Sequence, residues 1–113
     1  DLNLIQTIRS KTMPSGLQYS KDGKYLIAGT GAHPFNVNIY QTSNYSLYNS
    51  FQKHTNLVKA VGFYKNYAIS GGGDNNEIYI WDKDTLKVKT KIVGVGQTVW
   101  SVGIDGDNIA WGN

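Results

Sequence analysis

His54, Ser70 and Asp74 stand close together in the middle of this chain. A hydroxyl, an imidazole to take its proton and a carboxylate to orient the imidazole are the parts of an acyl-transfer catalyst. Trp81-Asp82 closes the same stretch. Other candidate chemistry is thinner. His33 and His54 are the two histidines, without the cysteine or carboxylate spacing of a metal site, and there is no cysteine. Disulfides and thiolate metal centres are therefore excluded. Gly71-Gly72-Gly73 is followed by Asp74-Asn75-Asn76, not Lys-Ser, so it reads as a strand-to-strand turn and not as a phosphate-binding loop. Asn44-Tyr45-Ser46 has the form of a glycosylation sequon and reads as a turn. No cofactor and no metal is expected.

The elements that must position these residues are short strands. The 113 residues include thirteen glycines and eight tyrosines, and 17% are charged. Glycine, Asn and Asp cut the chain into short apolar runs rich in Ile, Val and Tyr, without a sustained helical period. Strands are expected at Leu2–Arg9, Ser15–Ser20, Lys24–Thr30, Phe35–Gln41 and Ser46–Gln52. The next cycle runs through Val58–Phe63, Tyr67–Gly71, Glu77–Trp81 and Leu86–Val93, and a half-cycle follows in Val99–Ile104 and Asn108–Trp111. Lys21-Asp22-Gly23 supplies the Asp-Gly that a tight hairpin needs.

The cycle repeats. Val58, Val61 and Phe63 return 41 positions later as Val99, Val102 and Ile104, and Tyr19 precedes Phe63 by 44. Four strands per cycle make an antiparallel meander, which cannot bury both its faces alone and must stack on its neighbours. The fold class is all-β. Its segments are an outer strand (1–10), a first four-stranded unit (13–52), a second (57–93) and half of a third (99–113).

With His54, Val58, Val61, Phe63, Ser70-Gly71, Asp74 and Ile78-Tyr79-Ile80-Trp81-Asp82 in place, the middle cycle resembles the WD-repeat (WD40) family of β-propellers. The resemblance implies that Asp74, His54, Ser70 and Trp81 form a hydrogen-bonded structural network: carboxylate to imidazole, imidazole to hydroxyl, hydroxyl to indole N–H. An indole partner and a repeat context argue against a catalytic triad, so no enzyme is expected. The flanking cycles depart from the pattern. Ala28 replaces Ser70, Tyr40-Gln41 replaces Trp-Asp, and Gly94-Val95 lacks the His.

The resemblance further implies a rigid, non-catalytic platform for protein–protein contact through loops at one end. Candidate contacts on that rim are Thr55, Asn56, Asn75, Asn76, Gln97 and Trp100, and Trp100 could instead pack in the core. The other reading is a lectin-like or small-ligand propeller with Tyr40, Tyr79, Trp100 and Trp111 as stacking residues. A third is a propeller module attached to an enzyme domain.

The net charge of +3 is a mild basic bias. Lys87, Lys89 and Lys91 alternate along one strand and read as a solvated edge protected by charge. Nucleic acid is not expected as a partner. No apolar run reaches the length of a membrane span and there is no signal-peptide pattern at Asp1, which, with the missing cysteines, suggests a cytoplasmic chain. Fewer than three units cannot close a propeller of typically four to eight blades. The chain is expected to be a fragment of a larger propeller, or else to assemble with copies of itself through exposed blade edges.

Overall fold

The computed structural model describes residues 2–73, 76–95 and 98–112. Ten strands form among them: β1 (Pro14–Tyr19), β2 (Tyr25–Thr30), β3 (Val37–Gln41), β4 (Ser46–Phe51), β5 (Val58–Tyr64), β6 (Tyr67–Gly72), β7 (Glu77–Asp82), β8 (Val88–Val93), β9 (Ser101–Asp105) and β10 (Asn108–Gly112). β1–β4 make one antiparallel meander, β5–β8 a second, and β9–β10 the first half of a third. These are two propeller blades and part of another, in an open ring.

Left-handed turn residues mark the repeat in the backbone. Gly23 (φ 76°), Lys65 (φ 51°) and Gly106 (φ 57°) hold the same place in the three inner hairpins. Phe35 and Asn76 (φ 59° and 50°) recur before the third strand of each blade, as do Tyr45 and Leu86 (φ 56° and 66°) before the fourth. Only the first and last of the seven are glycines, so the backbone repeats where the residue types do not.

The period-2 alternation of the middle blade sends alternate side chains to its two neighbours. Val58, Val61, Ala68, Tyr79 and Trp81 pack against Ile27, Val37, Ile39 and Phe51 of the first blade. Ala60, Ile69 and Ile78 pack the other way, with Val99, Val102, Ile104 and Ile109 of the third. A register shift between Val58 and Ala60 puts these two residues on opposite faces and Val58 on the same face as Val61, because one extra residue reverses the alternation. Backbones approach closely at this point, both within the second blade and between it and the first. A Cβ on Gly72 would overlap the Leu57 carbonyl oxygen, and one on Gly16 would overlap that of Lys59. The glycine run ending in Gly73 (φ 73°) is thus required by backbone contact as well as by the turn.

Leu2–Arg9, anticipated as a strand, is not one. No described strand runs beside it, and a strand needs a hydrogen-bonded neighbour to persist in water. The segment lies along the open face of the first blade. There Leu4, Ile5 and Ile8 meet Leu17, Leu26 and Tyr40 around a cavity of about 380 Å³. β8 is an edge strand, and its residues are exposed apart from the half-buried Ile92.

Candidate functional site

The structure brings together His54, Ser70 and Trp81. Ser70 lies on β6 and Trp81 on β7, both facing the first blade, and His54 enters from the β4–β5 connection. His54 Nε2 and Ser70 Oγ are 2.7 Å apart, and Trp81 Nε1 donates to the same Oγ at 3.1 Å. The Ser70 hydroxyl can accept the indole N–H and still donate its own proton to an unprotonated Nε2, the tautomer that carries the imidazole proton on Nδ1. Nδ1 is buried and has no partner among the described residues. Asp74, which the resemblance assigns to that nitrogen, lies outside the described residues, as do Asn75 and Gln97 of the anticipated rim.

The pocket around the imidazole is aromatic. Phe51 stacks on Trp81 with ring centroids 4.4 Å apart and planes 4° from parallel. Tyr79 meets His54 edge-on at 4.9 Å. Burial pushes the His54 imidazole down to about 4, against the nearby Glu77 carboxylate, which pulls the other way, and Lys91 adds to the depression. The imidazole is therefore neutral at neutral pH. Ser70 is fully buried, and His54 is 6% exposed. A nucleophilic serine must reach its substrate, and this one has none of its surface in solvent. Among the described residues there is also no cluster of His and carboxylates able to hold a metal.

Asp82 acts on the turn that follows. Its Oδ1 accepts from Asp84 N at 2.8 Å and Thr85 N at 3.0 Å, and these N–H groups hold its carboxyl below the usual carboxylate range. Gln41 stands there in the first blade and bonds Ser46 Oγ at 2.8 Å instead.

The rim residues separate. Thr55 is exposed and Asn56 half-buried in the β4–β5 connection, and Trp100, just ahead of β9, is 54% exposed. Trp100 is thus a surface residue and not a core one. Asn76 is withdrawn from the rim: it is buried in the left-handed position of its turn, and its carbonyl accepts from Gly94 N at 3.0 Å. Among the aromatics considered for stacking on a sugar, Tyr79 is buried between the blades and Tyr40 lines the cavity under the N-terminal segment, while Trp111 is exposed.

Three polar groups were not singled out in the sequence. Glu77 is buried and paired with Lys91 Nζ at 3.0 Å. Lys83 is buried between blades, with Nζ bonded to Asn66 Oδ1 at 2.9 Å and Asp84 Oδ1 at 3.0 Å, and 4.6 Å from the Tyr25 ring centroid. Lys59 places its Nζ 4.0 Å from the centroid of the Trp100 ring. The signal available for Lys59 was its 41-residue offset from Trp100.

No family model and no curated protein matches the chain. Solved structures do, and they give its fold as that of WD40 β-propellers. The β-propeller domain of Cps50 (Swd1) from Myceliophteria thermophila superposes with a TM-score of 0.80 at 16% identity, over 94% of this chain and 34% of that one. The structure of U3-55K gives 0.79 at 10% identity, over 92% of this chain and 34% of that one. The RRP9 WD40 repeats give 0.68 at 19% identity, over 77% and 26%. The chain spans about a third of the length of the first two.

Proposed function

We propose that this chain contributes blades to a larger WD40-type propeller whose role is a non-catalytic platform for a protein partner. The observation that carries the reading is the complete burial of Ser70 between two blades, with its hydroxyl accepting the Trp81 indole N–H. His54 and Ser70 serve packing there, because a triad needs its hydroxyl open to substrate. The connections at one end, carrying Thr55, Asn56 and Trp100, are the contact surface, since a rigid sheet stack holds such loops in fixed relation. The short share of the propeller neighbours' length supports a ring completed by further blades.

The test is site-specific photo-crosslinking in the intact protein. A benzophenone amino acid at Thr55 is expected to give a saturable adduct with a protein partner. The same group at Thr85, at the opposite end, should give none. Equal adducts from both positions, or none from Thr55, would overturn the platform reading. Labelling of Ser70 by a fluorophosphonate would overturn the non-catalytic one.

A further inference from the structure

Two of the inner strands, β1 and β5, begin with a residue set out of register. Pairing shifts between Pro14 and Gly16 on β1 and between Val58 and Ala60 on β5, leaving Ser15 and Lys59 as the extra residues. Trp100 follows Lys59 at the repeat period of 41 and sits at the same place ahead of β9. A bulge re-aims its side chain out of the sheet's alternation. Here Ser15, Lys59 and Trp100, at matching positions of the repeat, form a row across the heads of neighbouring inner strands. The Ser15 hydroxyl donates to the Val58 carbonyl, and the Lys59 ammonium lies over the Trp100 ring. The row is held from below: Trp100 N donates to Gly112 O at 2.8 Å, and the Lys59 carbonyl abuts Gly16.

Charge is unevenly divided between the two ends. At the far end Asp22, Asp82, Asp84, Asp105 and Asp107 interleave with Lys21, Lys24, Lys65, Lys83 and Lys87, and Lys65–Asp107 and Lys83–Asp84 are paired. At the row's end, Glu77 is the one carboxylate among the described residues, and it is buried and held by Lys91. Lys59, and Lys53 on the connection into β5, have no ion pair among the described residues. A cation over an indole ring keeps its donors for a third group. An exposed Trp beside it offers apolar area at low entropic cost.

We propose that the Ser15–Lys59–Trp100 row binds an acidic protein segment, with a carboxylate on Lys59 and an adjoining apolar group on Trp100. This rests on the platform reading above and names the chemistry of its partner. A nucleic acid fits less well. Its affinity comes from neutralising many phosphates along a track, whereas the cations without an ion pair at this end are few and form no continuous line.

The experiment is fluorescence anisotropy on the intact protein with three labelled probes: a peptide of alternating Glu and Leu, its Lys–Leu counterpart and a short uridine oligonucleotide. The acidic peptide should bind saturably and more weakly as salt rises. Lys59→Met, which removes the charge and keeps a side chain of similar length, and Trp100→Ala should each weaken it roughly tenfold. Lys65→Gln, at the opposite end, should leave it unchanged. Absence of saturable binding, tighter binding of the basic peptide or the oligonucleotide, or an equal loss in Lys65→Gln would overturn the proposal. If crosslinking from Thr55 survives while the acidic peptide fails, the platform reading stands and the acidic partner falls. Loss of both means that the platform itself is wrong.

Discussion

At the scale of single residues, the polar cluster of the second blade is a balance between burial and satisfaction. A neutral imidazole costs far less to bury than an imidazolium, and the Ser70 hydroxyl and Trp81 N–H supply the partners that make burial tolerable. Burial depresses the His54 pKa from the usual 6.5 to about 4. The unfolded chain therefore takes up a proton at His54 before the folded one does. The contribution is complete above pH 6.5, falls between 6.5 and 4, and amounts to about 3 kcal/mol across that window. Urea denaturation at pH 7 and at pH 4.5 should show this loss. In His54→Ala the slope should flatten, and stability at pH 7 should drop by about 1–3 kcal/mol, because buried polar partners are stranded. An unchanged slope in the variant would assign the pH dependence to another group. An imidazole titrating above 6.5 by NMR would instead reveal an anionic partner at Nδ1, the place the resemblance gives to Asp74.

At the scale of elements, the hairpins show what could and could not be read from residue types. The ten observed strands match ten anticipated runs, because apolar alternation and turn residues report on pairing directly. Leu2–Arg9 has the same alternation but no neighbour, and alternation says nothing about what lies alongside. The left-handed turn position was legible at Gly23 and hidden at Phe35, Tyr45, Lys65 and Leu86, where the fold imposes the conformation on side chains that resist it. The packing role of Gly72 was hidden for the same reason: contact between backbones of different elements leaves no local mark. The His54–Ser70–Trp81 cluster was legible as a spaced constellation, whereas the burial of Asn76 and Lys83 depended on neighbouring chain. Lys65 offers a test of the imposed conformation. It lies exposed at φ 51°, and its pair with Asp107, 3.8 Å away with both side chains mostly in solvent, adds little. Lys65→Gly should remove the Cβ clash and raise the thermal midpoint by roughly 2–5 °C. Gly106→Lys at the matching turn should lower it by a similar amount. A fall in Lys65→Gly would mean that the lysine side chain outweighs the strain.

At the scale of the whole molecule, blade faces decide behaviour in solution. The middle blade is covered on both sides, one by Phe51, Ile27 and their neighbours and the other by Val99, Val102 and Ile104. The first blade has one face covered only by the thin N-terminal segment, leaving Leu17 and Tyr19 exposed at 62% and 52%. The half-blade leaves β9 and β10 with mostly exposed side chains, Trp111 among them. Exposed apolar faces next to open strand edges favour association, and nothing in the geometry selects one number of copies. A closed ring of copies would need the Leu2–Arg9 segment of one copy to complete the half-blade of the next. Even if that segment became a strand on joining, it would add one to two, where each full blade here has four. The 113 residues produced alone should therefore give a polydisperse, concentration-dependent mass by light scattering. If further blades complete the ring, as proposed, supplying them on the same polypeptide should convert it to a single monomeric species. A discrete multiple of the 113-residue mass, independent of concentration, would show instead that copies share a ring and that three strands suffice to make a blade.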